Sequence, residues 1–334
     1  MKNSIGVIGV GYWGPNIIRT LQKIKSVKKI TIVETDLKRI DTLKKIFPKM
    51  EFSNNIDVIL KNQNIKIVII STPAQTHYEI GKKCLLAHKN ILIEKPMALK
   101  ISHLKTLNNI ARKNNLVLLS GDIYLYSKAI KKIKELITKK SFGNLRYFFS
   151  QRLNLGRVRK DLNVVWNLAT HDLSIILFCL NFKIPVTQKS LSNYFLSSKL
   201  ADTAYLHFKF REKLVANILV SWIFPEKIRK LIVCGEKKML IYDDIEKKIF
   251  LMNKKIIPIH SKMKNMEFDF KSAKNFEYIK GKSKTYKFDK DEPLYNEIKY
   301  FVNLSNNKKA YSSHYISGYK NTLKILRCIN KFKF

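Results

Sequence analysis

Residues 9–14 read Gly9-Val10-Gly11-Tyr12-Trp13-Gly14, three glycines at the spacing of a turn that lets backbone approach a phosphate. Glycines mark any tight turn, so the motif is weak alone. Its flanks strengthen it. The apolar run Ser4–Ile8 precedes it, Asn16–Ile24 carries apolar residues at helical spacing, and Glu34 ends the run Lys29–Val33, 20 residues after Gly14. In that frame Gly9 permits the sharp turn, Gly11 admits a pyrophosphate, and Gly14 allows close helix–strand packing. The helix start then offers unpaired N–H groups and a partial positive charge. Tyr12 and Trp13 fall inside the turn and are expected beside the cofactor. A carboxylate at Glu34 accepts two ribose hydroxyls and repels a 2′-phosphate. The spacing therefore predicts NAD in preference to NADP, with Asp36 the competing ribose contact and a plain glycine turn the bland alternative.

A second set of polar residues lies further on. The run Asn90–Glu94 ends in Glu94-Lys95-Pro96. Strand C-termini in open α/β sheets face the ligand crevice, which places Lys95 near a bound nicotinamide. The alternative is a surface lysine, common in a chain with 54 of them. Arg152, Asn154 and Arg157 are candidates to meet a substrate phosphate or sugar hydroxyls, because arginine forks bind phosphate bidentately; solvated strand residues are the competing reading. Trp166 and Trp222 suit either stacking on a sugar or core packing. Histidines 88, 103, 207, 260 and 314 form no ligand spacing, so no metal is expected. Cys84, Cys179, Cys234 and Cys328 show no paired spacing and read as reduced, mostly buried thiols.

The elements that must hold these groups alternate at first. Strand-like runs at Ile67–Ser71, Asn90–Glu94 and Leu116–Ser120 are apolar on both faces, and helical patterns at Leu37–Phe47, Thr76–His88 and Ile101–Lys113 separate them. That implies a parallel sheet covered on both sides. After Gly121 the pattern changes. Ser127–Lys139 and Asn167–Cys179 read as helices, while Leu145–Arg152, Thr203–Phe210, Val215–Trp222, Lys230–Cys234 and Met239–Tyr242 read as strands, several alternating in polarity as an antiparallel sheet with one wet face does. The Lys/Asn-rich stretch 254–290 reads as a surface excursion, and Glu292–Leu304 and Ser313–Phe332 as helices. The expected class is α/β, with a dinucleotide-binding domain over 1–121 and a substrate and oligomerisation domain over 122–334 built on a large, mostly antiparallel sheet.

Composition bounds the partners. The 334 residues carry a formal charge of +39, with 46% hydrophobic content. That apolar content builds a core and excludes a disordered basic tail. The charge comes from 54 Lys and only ten Arg spread along the chain, whereas nucleic-acid readers lean on arginine forks. No nucleic-acid partner is expected. No run of 18 apolar residues and no signal-like segment occurs, so no membrane partner is expected and the cytoplasm is the expected location.

Taken together, Gly9–Gly14, Ser71-Thr72-Pro73 with His77 four residues on, and Glu94-Lys95-Pro96 resemble the Gfo/Idh/MocA oxidoreductases. The resemblance continues through 152–157, Trp166-Asn167-Leu168-Ala169-Thr170-His171-Asp172, Ser221-Trp222 and Tyr242-Asp243-Asp244, and is similar to the nucleotide-sugar branch around UDP-N-acetylglucosamine 3-dehydrogenase. It implies a Rossmann domain followed by a sheet domain that forms a homodimer or homotetramer, and hydride transfer between a sugar secondary alcohol and NAD or NADP. It maps the family's lysine to Lys95 and its histidine to His171, and places Thr72, Pro73, His77 and Glu94 near the cofactor. Two positions depart from the pattern. Asn167 stands where an acid is common, and Asp122, beside the nicotinamide, stands where many relatives carry histidine. His88-Lys89 replaces the usual Gly-Lys, a change read as structural.

A group that titrates near neutrality suits removal of the hydroxyl proton, which makes His171 the general base. A lysine ammonium suits stabilisation of the alkoxide at Lys95. Asp172 reads as an acid complementing a helix N-terminus. The implied substrate is a nucleotide-linked amino sugar on a polysaccharide route. A free polyol, aldose or inositol is the alternative enzyme reading, and a non-catalytic NAD-binding regulator is the alternative of another class.

Overall fold

The computed structural model describes residues 3–156, 158–258, 276–307 and 311–332. They fall into two compact units. The first takes the chain up to Ser127, Leu173–Phe182 and the described residues from Glu292 onward; the second takes Lys128–Asp172 and Lys183–Asp291.

In the first unit, β1 (Asn3–Ile8), β2 (Val27–Val33), β3 (Glu51–Ser53), β4 (Ile65–Ile70), β5 (Asn90–Glu94) and β6 (Leu118–Gly121) form one parallel sheet in the order β3-β2-β1-β4-β5-β6. The order reverses between β1 and β4, which opens a crevice at their carboxyl ends. Helices α1 (Gly14–Gln22), α2 (Leu37–Ile46), α3 (Asp57–Leu60), α4 (His77–Leu86) and α5 (Ile101–Lys113) make the crossovers. The strands are buried on both faces: Val68, Ile69, Ile70, Ile91 and Ile93 have no exposed surface. After α4 the chain turns through His88, whose φ of 56° lies in the left-handed region that glycine fills without strain.

The second unit opens with α6 (Lys128–Ile137) and β7 (Leu145–Leu155). A wide π-helical turn over Val165–Ala169 leads into α7 (Thr170–Cys179), which continues into the first unit. Strands β8 (Thr187–Asn193), β9 (Thr203–Lys209), β10 (Val215–Ser221), β11 (Ile223–Gly235), β12 (Met239–Asp243), β13 (Lys248–Pro258) and β14 (Phe276–Lys287) join β7 in the order β14-β13-β12-β11-β7-β10-β9-β8. The β7–β10 pair is parallel and the other pairs are antiparallel. Alternation sets the faces: Ala204, Leu206, Phe208, Ala216, Ile218 and Val220 are buried, while Tyr205, His207, Asn217 and Leu219 lie half-buried opposite them. The stretch expected as a surface excursion, 254–290, holds the end of β13 and all of β14, paired at Lys254↔Lys280 and Ile256↔Tyr278, while 259–275 lie outside the described residues. Its lysines suit an edge strand, where charge blocks further pairing, and they hide the apolar period.

Two helices then return to the first sheet. Ile298, Phe301, Val302 and Leu304 of α8 (Pro293–Asn306) pack into one core with Ile17, Ile18, Val117 and Leu119. Gly318 of α9 (Tyr311–Ile329) lies against β6, where an added Cβ would be 3.5 Å from both Leu119 and Ser120. The change of pattern near residue 121 therefore marks the end of the first sheet. The last helices, read in sequence as part of the second domain, belong to the first unit.

Candidate active site

The phosphate turn sits where β1 meets α1. Gly9 has φ +82°, and a Cβ on it would fall 2.4 Å from Thr72 Cγ2 and 2.8 Å from Thr72 N, so no other residue fits. At Gly14 a Cβ would meet Val10 Cγ1 at 2.5 Å. Gly11 differs: its nearest neighbour would be Arg39 Nη1 at 3.5 Å, so its missing side chain leaves a cradle for a close approach. Helix α1 begins at Gly14 with no side-chain cap; Pro15 has no N–H and Asn16 N donates to Trp13 O at 3.0 Å, so of its first three residues Gly14 is the one that keeps an N–H for an anion. Tyr12 is 80% exposed on the turn.

Glu34 is fixed beneath this turn. Its carboxylate accepts from Val10 N at 2.8 Å, Thr35 N at 2.8 Å and Asp36 N at 3.2 Å. Asp36, the competing ribose contact, caps α2 by accepting from Arg39 N at 3.2 Å. Arg39 itself reaches back, with Nη1 donating to Val10 O at 3.4 Å. Sequence reasoning passed over this arginine. The signal was present, a cation one turn into the helix that follows the acidic strand end. Cradle, helix start, carboxylate and guanidinium together fit a dinucleotide.

The ends of β4 and β5 are tied to the turn. Ser71 Oγ donates to Gly9 O at 2.6 Å. His77 is buried, with Nδ1 2.8 Å from Pro96 O and Nε2 2.8 Å from Thr72 O, and so staples the Thr72-Pro73 loop to the chain leaving Lys95. Glu94 Oε2 accepts from Lys95 N at 3.3 Å. Burial pushes its carboxyl up to about 7, against the pull of the Lys95 charge. Asp122, next to Gly121, accepts from Asn321 Nδ2 at 3.1 Å, and burial raises it to about 6. Glu297 of α8 has no exposed surface. Burial first, then the nearby Glu94 and Asp122 charges, raise its carboxyl far above the ordinary range. Neither Glu297 nor Asn321 belongs to a motif; only the packing of α8 and α9 brings them here.

In the second unit His171 is half-buried at the start of α7. Its neighbour Asp172 is buried and bound on both oxygens: Arg152 Nε donates to Oδ2 at 2.7 Å, Arg152 Nη2 to Oδ1 at 3.1 Å, and Ser150 Oγ to Oδ1 at 2.7 Å. One expectation is extended here and one gives way. Asp172 lies in the first turn of α7, as expected, and also anchors that helix to β7. Arg152, expected to meet substrate, is itself 5% exposed and committed to Asp172. Asn167 Oδ1 accepts from Trp222 Nε1 at 3.2 Å, and Trp222 is core. Asn154 is half-buried near the end of β7, Trp166 is half-buried, and Arg157 lies outside the described residues. All four cysteines are buried thiols outside any disulfide. Among the described residues no group of three His, Cys, Asp or Glu could hold a metal, and no helix is long and apolar enough to cross a membrane.

A parallel sheet with a switch point, a glycine turn and an acidic strand end define a dinucleotide-binding protein. Residues 3–122 match the oxidoreductase family with an NAD-binding Rossmann fold, Gfo/Idh/MocA. Among its relatives is the 1-carboxy-3-chloro-3,4-dihydroxycyclohexa-1,5-diene dehydrogenase of Comamonas testosteroni, 26% identical over 65% of this chain and 57% of that protein. The UDP-N-acetylglucosamine 3-dehydrogenase of Acidithiobacillus ferrooxidans is 27% identical over 68% of this chain and 69% of its own. The solved structure of that enzyme, GnnA, superposes with a TM-score of 0.78 at 20% identity, covering 99% of this chain and 96% of its own, which shows a shared fold.

Proposed function

We propose that this protein is a dehydrogenase that transfers hydride between a sugar secondary alcohol and NAD, with a nucleotide-linked amino sugar as substrate. The observation that carries the reading is the set of ties between the phosphate turn and the strand end bearing Lys95: Ser71 Oγ donates to Gly9 O at 2.6 Å, and the His77 ring lies 2.8 Å from both Thr72 O and Pro96 O. The UDP-N-acetylglucosamine 3-dehydrogenase relative supports the substrate class. A polysaccharide route, the cytoplasm as location and a homodimer or homotetramer through the second unit's sheet belong to the same proposal. The half-buried face carrying Tyr205, Asn217 and Leu219 is the surface it assigns to subunit contact.

The bound nicotinamide supplies the hydride acceptor or donor. Gly9, Gly11, Tyr12, Trp13 and Gly14 hold the phosphates, Glu34 the adenosine ribose, and Thr72, Pro73, His77, Glu94 and Asp122 shape the nicotinamide end. His171 takes the hydroxyl proton, and the Lys95 ammonium donates a hydrogen bond to the oxygen as negative charge grows on it. Asn167 and Asn154 are assigned to sugar hydroxyls.

The test is NADH formation over a panel of nucleotide sugars and free polyols. Lys95→Ala and His171→Ala should each lower kcat by about 10²–10⁴-fold, with NAD affinity kept, as read by NADH fluorescence. Near wild-type turnover in either variant removes that residue from the mechanism. Preference for a free polyol moves the substrate to that class. Glu34→Ser should improve NADP binding by about tenfold, roughly 1.4 kcal/mol, because the Glu34 carboxylate no longer repels a 2′-phosphate beside Arg39, although Asp36 stays 3.9 Å from Arg39 Nε. Unchanged NADP affinity would refute the ribose argument.

A further inference from the structure

Helix α9 meets the end of β6 at two positions one turn apart. Gly318 lies against the strand, where an added Cβ would be 3.5 Å from Ser120 N. Asn321, three residues on and so on the same helix face, has no exposed surface. Its Nδ2 donates to Asp122 Oδ2 at 3.1 Å and to Ser174 Oγ of α7 at 2.8 Å. The Asp122 backbone is fixed as well, its N donating to Ser120 O at 2.8 Å and its O accepting from Leu125 N at 2.9 Å. One buried amide thus joins α9, α7 and the residue that follows β6.

The direction of that amide is chemically specific. Asn321 Oδ1 is sealed from solvent and has no hydrogen-bond partner among the described residues, while Nδ2 meets an oxygen on each side. Reversing the amide would set its oxygen against a carboxylate oxygen. A donated N–H favours the ionised form of a carboxyl, and a bond to a charged acceptor is stronger than one to a neutral acceptor. Burial works the other way: Asp122 is 6% exposed, and its carboxyl is raised to about 6. Asn321 leads the groups that oppose that rise, ahead of Ser120 and Lys95.

The phosphate turn lies between β1 and α1, and Glu34 ends β2 on the adenosine side. The nicotinamide half of a dinucleotide therefore falls over the carboxyl ends of β4, β5 and β6. Asp122 is the first residue past β6. The nicotinamide ring is cationic when oxidised and neutral when reduced, so a carboxylate there favours the oxidised form.

We propose that Asn321 is a positioning residue that holds Asp122 as a carboxylate, and that this carboxylate makes the site prefer NAD⁺ to NADH. The proposal rests on the reading of the first unit as the dinucleotide site, and it adds a residue outside every motif. Other titratable groups act on Asp122: Glu94 and Lys95 at the end of β5, Tyr126 in the turn at Ile123–Tyr126, and Glu297 of α8. They are common to every variant below, so differences between variants report Asp122 and Asn321.

The experiment measures NAD⁺ and NADH affinity by calorimetric titration without substrate. Near neutral pH, Asp122→Asn, which keeps an acceptor for Asn321, should move the ratio of the two affinities about tenfold toward NADH. Asn321→Leu should move it the same way and return to the wild-type ratio at about pH 9, where Asp122 ionises unaided; Asp122→Asn should stay shifted there. The double variant should match Asp122→Asn, because one charge is lost in both. An unmoved ratio in Asp122→Asn overturns the proposal. So does a leucine variant that weakens both forms equally, as lost packing alone would, or one still shifted at the alkaline pH. Should leucine prevent folding, Asn321→Ala removes the same donor without added bulk. The infrared difference between wild type and Asp122→Asn, without nucleotide near neutral pH, should carry a carboxylate band; a carboxylic-acid C=O band in its place overturns the proposal. Wild type that binds neither nucleotide refutes the proposed function and this proposal together, whereas binding of both with an unmoved ratio refutes this proposal alone.

Discussion

Both units bury carboxylates, and they hold them in opposite ways. In the second unit Asp172 meets a guanidinium and a hydroxyl at 2.7–3.1 Å, so both its oxygens are matched by donors built into β7. In the first, burial raises the carboxyls of Glu94, Asp122 and Glu297, and Glu94 Oε1 and both Glu297 oxygens have no hydrogen-bond partner among the described residues. The first arrangement matches each carboxylate oxygen with a fixed donor. The second changes its charge with pH, and it does so next to Lys95. A buried acid thus carries little information by its type; the donors around it decide whether it braces the fold or tunes the chemistry.

The largest test of this contrast removes a partner. Arg152→Ala leaves Asp172 buried with the Ser150 hydroxyl but without its guanidinium and should cost about 3–5 kcal/mol in urea unfolding. Replacing both, Arg152→Met with Asp172→Leu, should recover most of that loss. A single variant as stable as wild type would mean that Asp172 is not braced as described.

The next test uses pH. Glu94 and Asp122 hold protons to about 7 and 6, above their ordinary values of 4.5 and 3.8. Between those limits the folded state binds more protons than the unfolded one, so this stability is fully present at the acid end and is lost as pH rises through 6 to 7. The expected loss is on the order of 2 kcal/mol. In the second unit Asp244, bonded to Lys247 and Tyr242, is lowered from 3.8, so its contribution is present above that value and disappears as pH falls further. Hydrogen exchange corrected for intrinsic rates should show β4 and β5 losing protection between pH 5 and 7 while β7 and β10 hold theirs. Glu94→Gln should flatten the first response. Parallel behaviour of the two units would erase the distinction.

The smallest effect calibrates the first unit without touching an acid. His88→Gly relieves a left-handed backbone and should raise stability by about 0.5–1 kcal/mol, seen as a higher urea midpoint at unchanged slope. The pH response of β4 and β5 should keep its shape. A change in that shape would couple the α4–β5 turn to the acid cluster.

Much of the first sheet is legible in sequence because strands buried on both faces write uninterrupted apolar runs. Asn90–Glu94 and Ile101–Lys113 match to the residue. The glycine turn and Glu34 are legible because their spacing is local. Strand β8 is not, since residues 187–193 are polar on an edge and no apolar period marks them. The start of α7 is displaced from Asn167 to Thr170 because a wide turn over 165–169 precedes it. In the site, Lys95 stands out by its strand end, whereas Arg39, Glu297 and Asn321 gain meaning only from residues far away in the chain. The commitment of Arg152 to Asp172 is invisible in sequence for the same reason.

The return of α8 and α9 to the first sheet bears on how the protein is made. During synthesis the β1–β6 sheet emerges long before the helices that complete its core. Val117, Leu119, Ile17 and Ile18 stay partly uncovered until Phe301 and its neighbours leave the ribosome. The second unit, whose sheet is contributed entirely by intervening residues, can close first. The nascent chain thus passes through a stage in which its second half is folded and its nucleotide-binding half is still sticky, the stage at which a chaperone or a slow codon run would matter most.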